Sequence, residues 1–148
     1  VVKVRAWETG LDPSAVRRAD LMITGAIAAG GYHSAALAAD GTVWTWGQNP
    51  WGQVGDGTYT TRLTPVSVLT GATAISTGLI HTLAVKADGT LWAWGSNDHG
   101  QLGDGTLVDR PAPVRVGDGF ASAAAGVKSA PATSADHQVS LIGPPGTA

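Results

Sequence analysis

The chain contains no cysteine and few charged residues, and each shortage excludes a class of function. Without cysteine there can be no disulfide framework and no thiolate chemistry. Charged residues make up 14% of the 148 residues and the formal net charge is −2. Because nucleic acids and anionic membranes are bound by basic surfaces, we expect neither of them as a partner.

Long apolar runs are missing as well. No segment approaches the roughly 18 apolar residues of a transmembrane helix, and Val1–Arg5 lacks the apolar stretch of a signal peptide. The sequence also has no Gly-x-Ser-x-Gly, no His-Glu-x-x-His and no phosphate loop. Its length allows at most one ordinary domain.

What the sequence does contain is a repeat with a period of 48 residues, which is the separation of His33 and His81. Each copy runs from that histidine through Asp-Gly and Trp-x-Trp-Gly to a loop that reads Gly-Gln-x-Gly-Asp-Gly-Thr. Asp-Gly is a hairpin signal, since the turn requires positive φ, and alternate residues of a strand share one face. A period of this size indicates a repeat architecture, and four short antiparallel strands per copy favour β-propeller blades.

The period divides the chain into four segments. They are a divergent N-terminal segment (1–25), a first blade (26–73), a second blade (74–121) and a degenerate third blade with a tail (122–148). In the first segment we expect a strand and a short helix, capped by Asp12 and begun by Pro13. In the third copy Pro131 interrupts the expected second strand, and Ser140 and Ile142 take the two tryptophan positions.

The predicted fold is therefore all-β: a partial β-propeller of four-stranded blades with a short N-terminal helix. Two blades and a remnant leave flat apolar faces uncovered, and such faces associate by default. Three outcomes are open: the chain is a piece of a longer propeller, several copies assemble, or the N-terminal helix and the C-terminal tail cover these faces. We prefer a homo-oligomer, most often a twofold dimer.

These residues resemble the RCC1-type (regulator of chromosome condensation) repeat, closely over about 26–116 and weakly over 120–143. The shared features are a Gly before the histidine strand, the Asp-Gly turn, the Trp-Gly ending and the loop Gly100-Gln-Leu-Gly103. Loops that continue through Arg110 to Pro113-Val114 look most like bacterial repeats. The resemblance implies a β-propeller, usually of seven blades, that acts as a protein-binding surface, and it favours an extracellular or cell-surface location.

Function is expected where the copies differ, because repeated residues belong to the scaffold. The variable positions and the arginine that follows them lie on loops, where exposed aromatic and arginine side chains are common binding hot spots. The candidate binding residues are Asn49, Trp51, Tyr59, Arg62, Asn97, His99 and Arg110. We predict a non-catalytic protein-binding or assembly module that needs no cofactor.

The histidines leave a second function open. His33 and His81 occupy the same place in successive blades, so we interpret them as structural, although a pair of metal ligands or a general base is the alternative. His99 and His137 have no repeat partner and, with nearby aspartates, are further candidates for a catalytic role. The alternative function is a small metal-dependent hydrolase, using a divalent metal such as zinc at a subunit junction. The sequence commits no residue to that chemistry, and whether the chain is an enzyme stays open.

Overall fold

The computed structural model describes residues 25–126 and 140–142, and every regular element in those ranges is a β-strand. The first sheet contains β1 (Ile27–Ala29), β2 (His33–Leu37), β3 (Val43–Gly47) and β4 (Arg62–Leu69). The second sheet contains β5 (Ala72–Thr77), β6 (His81–Lys86), β7 (Leu91–Gly95) and β8 (Arg110–Gly117). The third sheet pairs β9 (Ser122–Ala124) with β10 (Ser140–Ile142).

Each four-stranded sheet is an antiparallel meander in which strands that are neighbours in sequence pair with each other. In the first sheet the turn between β2 and β3 has Gly41 at a φ of 82°, a conformation that costs glycine little. Oδ1 of Asp40 accepts a hydrogen bond from the backbone N–H of Thr42 at 2.9 Å, which fixes the turn. The second sheet repeats this arrangement, so the Asp-Gly pairs mark both hairpins correctly.

The apolar core lies between successive sheets. Leu37 of the first sheet belongs to a buried cluster with Ala72, Ala84 and Trp94 of the second. A second cluster, centred on β6 and β7, packs against Ala123 of β9 in the same way. The sheets therefore stack as the blades of a propeller, each contacting its neighbours along the chain.

The prediction of an all-β partial propeller is confirmed for the described residues. The predicted N-terminal strand and helix fall within residues 1–24, outside the described residues. No helix in the described ranges is long and apolar enough to cross a membrane.

The third sheet corrects one sequence expectation. The 48-residue period assigns Ser140 and Ile142 to a third strand, but β10 pairs directly with β9, so that Ile142 lies opposite Ser122 and Ser140 opposite Ala124. That is the second-strand position, and Ser140 takes the place in it that the period assigns to Pro131. Proline has no N–H to donate to a neighbouring strand, so it is poorly suited to a paired strand. The assignment of Ser140 and Ile142 to the tryptophan positions is therefore wrong.

The two equivalent tryptophans Trp46 and Trp94 test the stacking of the blades. Trp94 is fully buried and Trp46 is half-buried. We expect Trp94→Ala to lower the free energy of unfolding by about 3–5 kcal/mol, and Trp46→Ala to lower it by less because less area is buried. Urea denaturation followed by circular dichroism measures both losses. A loss for Trp46→Ala as large as that for Trp94→Ala would contradict this expectation.

Candidate binding loops

Two long loops occupy equivalent positions in the first and second blades and lie on the same side of the sheets. Loop 1 (residues 48–61) connects β3 to β4, and loop 2 (residues 96–109) connects β7 to β8. The backbone N–H of Gly57 in loop 1 donates to the carbonyl oxygen of Pro111, which follows loop 2, at 2.8 Å. Loop 1 therefore reaches the start of β8, next to the end of loop 2.

A buried asparagine fixes the shape of each loop. Oδ1 of Asn49 accepts from the backbone N–H of Val54 at 2.9 Å, and its Nδ2 donates to the carbonyl oxygen of Thr58 at 2.8 Å. Asn97 does the same in loop 2, with Oδ1 accepting from the N–H of Leu102 at 3.0 Å. Both asparagines are fully buried. Asn49 and Asn97, which we expected to contact a partner, instead hold the loops from inside.

An aspartate–arginine pair closes the other end of each loop. Nε of Arg110 donates to Oδ2 of Asp104 at 2.7 Å, and Arg62 donates to Asp56 in the same way. Burial raises the pKa of Asp104, but hydrogen bonds donated by Thr106 and Arg110 outweigh it and lower the pKa to about 2. Both arginines keep about a third of the side chain exposed, at 35% and 34%. Each arginine is therefore bound to the aspartate of its own loop, and only part of its guanidinium is accessible to a partner.

Apolar side chains cover the outer surface of the loops. Trp51 and Tyr59, two of the predicted binding residues, are 40% and 56% exposed. Leu63 at 81%, Leu107 at 68% and Val108 at 59% are more exposed still, and they are not among the predicted binding residues. The repeat could have indicated Leu107, because this residue occupies the position in the second copy that Tyr59 occupies in the first.

The variable positions Trp51 and His99 are presented on the same backbone support. The N–H of Trp51 donates to Oε1 of Gln53 at 3.0 Å, and the N–H of His99 donates to Oε1 of Gln101 at 2.9 Å. The ring of His99 is exposed, with Nδ1 lying 2.7 Å from Oδ1 of Asp98. One scaffold therefore displays a different side chain in each blade.

Loop 1 also covers part of the second blade. Gly55 lies against the indole of Trp94 so closely that a Cβ at this position would clash with the ring, and Gly52 lies equally close to Pro111. Glycine at these positions allows the loop backbone to approach the next sheet. The inner side of the loop is part of the interface between blades, and the outer side faces solvent.

His33 lies in the same interface, where a hydroxyl links the blades. The Oγ1–H of Thr82 donates to the carbonyl oxygen of Gln53 at 3.1 Å, so Thr82 Oγ1 accepts from Nε2 of His33 at 2.8 Å. This assigns the proton of the neutral imidazole to Nε2. Burial, and to a lesser extent the neighbouring His81, lower the pKa of His33 to about 4.

The candidate histidines are not brought together into a reactive site in the described part of the chain. His33 and His81 are both buried, each 3% exposed, whereas His99 is at the surface of loop 2. His137 lies outside the described residues. Among residues 25–126 and 140–142 there is no group of three or more His, Cys, Asp or Glu side chains that could hold a metal ion.

Two protein-family models match this chain, each of them over both copies of the repeat. A model described as the Regulator of chromosome condensation (RCC1) repeat matches residues 40–85 and 88–130, and a second model of the same description matches 26–53 and 72–101. The chain belongs to the RCC1 repeat family.

Solved structures share the RCC1 fold over most of this chain. Human WBSCR16 is 31% identical with a TM-score of 0.62, and the match covers 69% of this chain and 29% of that protein. Prp20p from Saccharomyces cerevisiae, described with its binding to Gsp1p and histones, is 22% identical with a TM-score of 0.61, over 70% of this chain and 27% of its own. Yeast RCC1 (Prp20) bound to Kap60 is 23% identical with a TM-score of 0.60, over 70% and 26%. This chain therefore spans less than a third of each relative.

Protonation of His33 makes the stability of this RCC1-type chain depend on pH. The unfolded histidine binds a proton near pH 6.5, but the folded one only near pH 4, so the free energy of unfolding decreases as the pH falls between these values. The full effect is about 3 kcal/mol. Denaturation at pH 7 and pH 4.5 should show that decrease in the wild type and a smaller one in His33→Gln. His99→Gln is the matched control and should behave like the wild type. If His33→Gln loses as much free energy of unfolding between pH 7 and pH 4.5 as the wild type does, His33 is not the source of the pH dependence.

Proposed function

We propose that this chain is a non-catalytic protein-binding module that engages its partner through loops 1 and 2. The observation that carries this proposal is the placement of exposed apolar side chains. Of the seven large exposed hydrophobic residues in the described part, five lie on these loops or at the start of β4. Exposed apolar patches mark interaction sites, because covering them with a partner removes apolar area from water.

The rigidity of the loops supports a role in binding. The buried amides of Asn49 and Asn97 and the carboxylates of Asp56 and Asp104 fix the backbone from within. A surface that is already ordered loses little conformational entropy when a partner binds, so more of the contact energy appears as affinity. Trp51 is the residue we expect to contribute most, since its exposed indole is held on an ordered turn.

The family supports a protein as the partner. The yeast protein of this fold is described as binding Gsp1p and histones, and in another structure it is bound to Kap60. These are properties of that protein, of which this chain spans about a quarter. They support the general class of partner, whereas the exposed residues of loops 1 and 2 define our specific proposal.

Paired affinity purification tests the binding function. Wild type and Trp51→Ala are used as baits in an extract of the source organism, and a protein retained by the first and lost by the second is purified for calorimetry. Truncating an aromatic hot spot should weaken its binding by at least about 2 kcal/mol. Arg115→Ala is the control, because this exposed residue lies on β8 away from the loops. If Trp51→Ala and Arg115→Ala both bind like the wild type, Trp51 does not make the contact.

We propose further that the module associates with copies of itself. The supporting observation is the exposure of two apolar side chains of the first blade, Ile27 at 47% and Tyr32 at 55%. The residue of the second blade equivalent to Tyr32 is Ile80, which is 7% exposed in a blade that packs against the first one. Covering Tyr32 in the same way would bury a comparable apolar area.

Native mass spectrometry tests self-association. At micromolar concentration the wild type should appear as an oligomer, and Tyr32→Glu should shift it towards the monomer because burying a carboxylate in an apolar contact is unfavourable. Leu63→Glu places the same charge on the loop surface and should leave the oligomer intact. A wild type that is monomeric throughout would refute self-association without affecting the proposal for the loops.

A metal-dependent hydrolase remains only an alternative. His33 and His81 are buried, and His33 is committed to the contact between blades through Nε2. No arrangement in the described residues specifically favours hydrolysis, so the binding module is the function we propose.

A further inference from the structure

The sequence contains five Asp-Gly dipeptides, and one of them differs from the others in the residue that follows. Four continue to threonine, and they begin at Asp40, Asp56, Asp88 and Asp104. The fifth is Asp118-Gly119-Phe120. Asp-Gly is the dipeptide in which the backbone nitrogen attacks the aspartate carboxyl most readily, because glycine has no side chain to hinder the approach. The hydrogen bonds of the folded chain decide at which of the five this attack proceeds.

The threonine binds the carboxylate in each of the four Asp-Gly-Thr sites. Oδ1 of Asp40 accepts from the N–H of Thr42 at 2.9 Å, and at the other three sites the threonine hydroxyl also donates, at 2.7 Å. These bonds lower the pKa of Asp40 and Asp88; at Asp56 and Asp104 burial raises the pKa, but the hydrogen bonds outweigh it. Attack by nitrogen expels water and needs the protonated carboxyl, so a lowered pKa slows it.

The glycine nitrogen is held as well at three of these sites. Backbone carbonyl oxygens accept, at 3.0, 2.8 and 2.9 Å, from the N–H groups of Gly41, Gly57 and Gly89. At the fourth site the additional restraint is on the carboxylate, because Oδ2 of Asp104 accepts from Nε of Arg110 at 2.7 Å. Each Asp-Gly-Thr site is therefore protected by at least two separate restraints.

Asp118 lacks these restraints. The N–H of Phe120 donates to the carbonyl oxygen of Gly89 at 3.0 Å, so it does not bind the carboxylate. Within residues 25–126 and 140–142 the carboxylate is bound only by Arg115, in an ion pair whose side chains are 54% and 63% exposed, and such pairs contribute little. In the same ranges no acceptor binds the N–H of Gly119, where a Cβ would meet nothing within 4 Å.

The equivalent connection of the first blade shows that this N–H belongs to the scaffold. It reads Thr70-Gly71-Ala72, 48 residues earlier, and the N–H of Ala72 donates to the carbonyl oxygen of Gly41 at 2.9 Å. Gly71 and Gly119 also have similar φ, 75° and 83°. An aspartate before this glycine therefore loses the N–H that binds the carboxylate in the Asp-Gly-Thr sites.

We infer that Asp118 is a modification site at which the folded chain converts spontaneously to isoaspartate. The nitrogen of Gly119 attacks Cγ of the protonated carboxyl, a C–N bond forms, and the hydroxyl leaves as water with the proton of the nitrogen. A second water molecule then adds to either carbonyl of the succinimide and breaks its bond to nitrogen. Opening at the α-carbonyl gives isoaspartate and lengthens the connection between β8 and β9 by one backbone atom, whereas opening at Cγ restores aspartate.

Ageing of the full 148-residue chain tests the site. The protein is kept for several weeks at neutral pH in water enriched in heavy oxygen and digested with trypsin, and isoaspartate is identified by electron-transfer mass spectrometry. Isoaspartate and heavy oxygen should accumulate in residues 116–128. Accumulation at each Asp-Gly-Thr site should be slower by about tenfold or more, since every unit by which a pKa is lowered reduces the protonated fraction tenfold.

Two variants exchange the residues of the equivalent connections. Asp118→Thr supplies the residue that the first connection carries, so it should fold normally by circular dichroism and show no isoaspartate in 116–128. Thr70→Asp creates an Asp-Gly at an exposed position, where the next N–H is already bonded to Gly41. It should add a second site that isomerises at a rate similar to that of Asp118.

A denatured sample shows whether the fold sets the order of reactivity. In urea the five Asp-Gly sites should isomerise at similar rates, because no hydrogen bond then distinguishes them. The inference fails if Asp118 does not isomerise in the folded chain, if an Asp-Gly-Thr site reacts as fast, if Thr70→Asp adds no site, or if the same order persists in urea. None of these results would bear on partner binding through Trp51 or on self-association through Tyr32.

Discussion

The hydroxyl of Thr82 connects the two blades, and the rest of the arrangement depends on this contact. It donates to the carbonyl oxygen of Gln53 in loop 1 and accepts from Nε2 of His33 in β2. A strand of the second blade is therefore tied to both a strand and a loop of the first. In a repeat protein each unit contacts only its neighbours, so the geometry of one such interface sets the geometry of the whole stack.

The glycine-rich loops combine two tasks that usually belong to different segments. On its inner side loop 1 allows Trp94 and Pro111 to approach the backbone, and this contact covers the core between the blades. On its outer side the same loop carries Trp51 and Tyr59 into solvent. The loop can do both because the Asn49 amide and the Asp56 carboxylate satisfy its backbone from within, so the shape does not depend on the exposed residues. Those residues are free to differ between copies, as His99 differs from Trp51.

The 48-residue period was sufficient to predict the blades, their hairpins and the order of their strands, because Asp-Gly turns and alternating tryptophans are local signals. It was less informative about individual side chains. Asn49 and Asn97 were selected as binding residues since they lie in loops rich in variable residues, yet both are buried. An asparagine in a loop satisfies the same sequence pattern whether it points outward or accepts and donates bonds within the loop. Leu63 is the reverse case: it belongs to a strand, and only the packing of the sheet leaves it 81% exposed.

The sequence by itself determined the family, the all-β fold and the position of the loops, since these depend on turn residues and on the spacing of apolar side chains. Only the tertiary structure decided which residues at equivalent positions of the repeat also have the same burial and strand pairing. Trp94 is buried and Trp46 half-buried although they occupy equivalent positions of the repeat, because Trp94 belongs to the cluster in which the second sheet packs against the first. In the third sheet Ser140, and not the Pro131 that the period assigns, pairs with Ala124 of β9, and proline has no N–H to donate to a neighbouring strand. Burial and pairing arise from the neighbours of a residue in space, and a repeat in the sequence does not specify where those neighbours are missing.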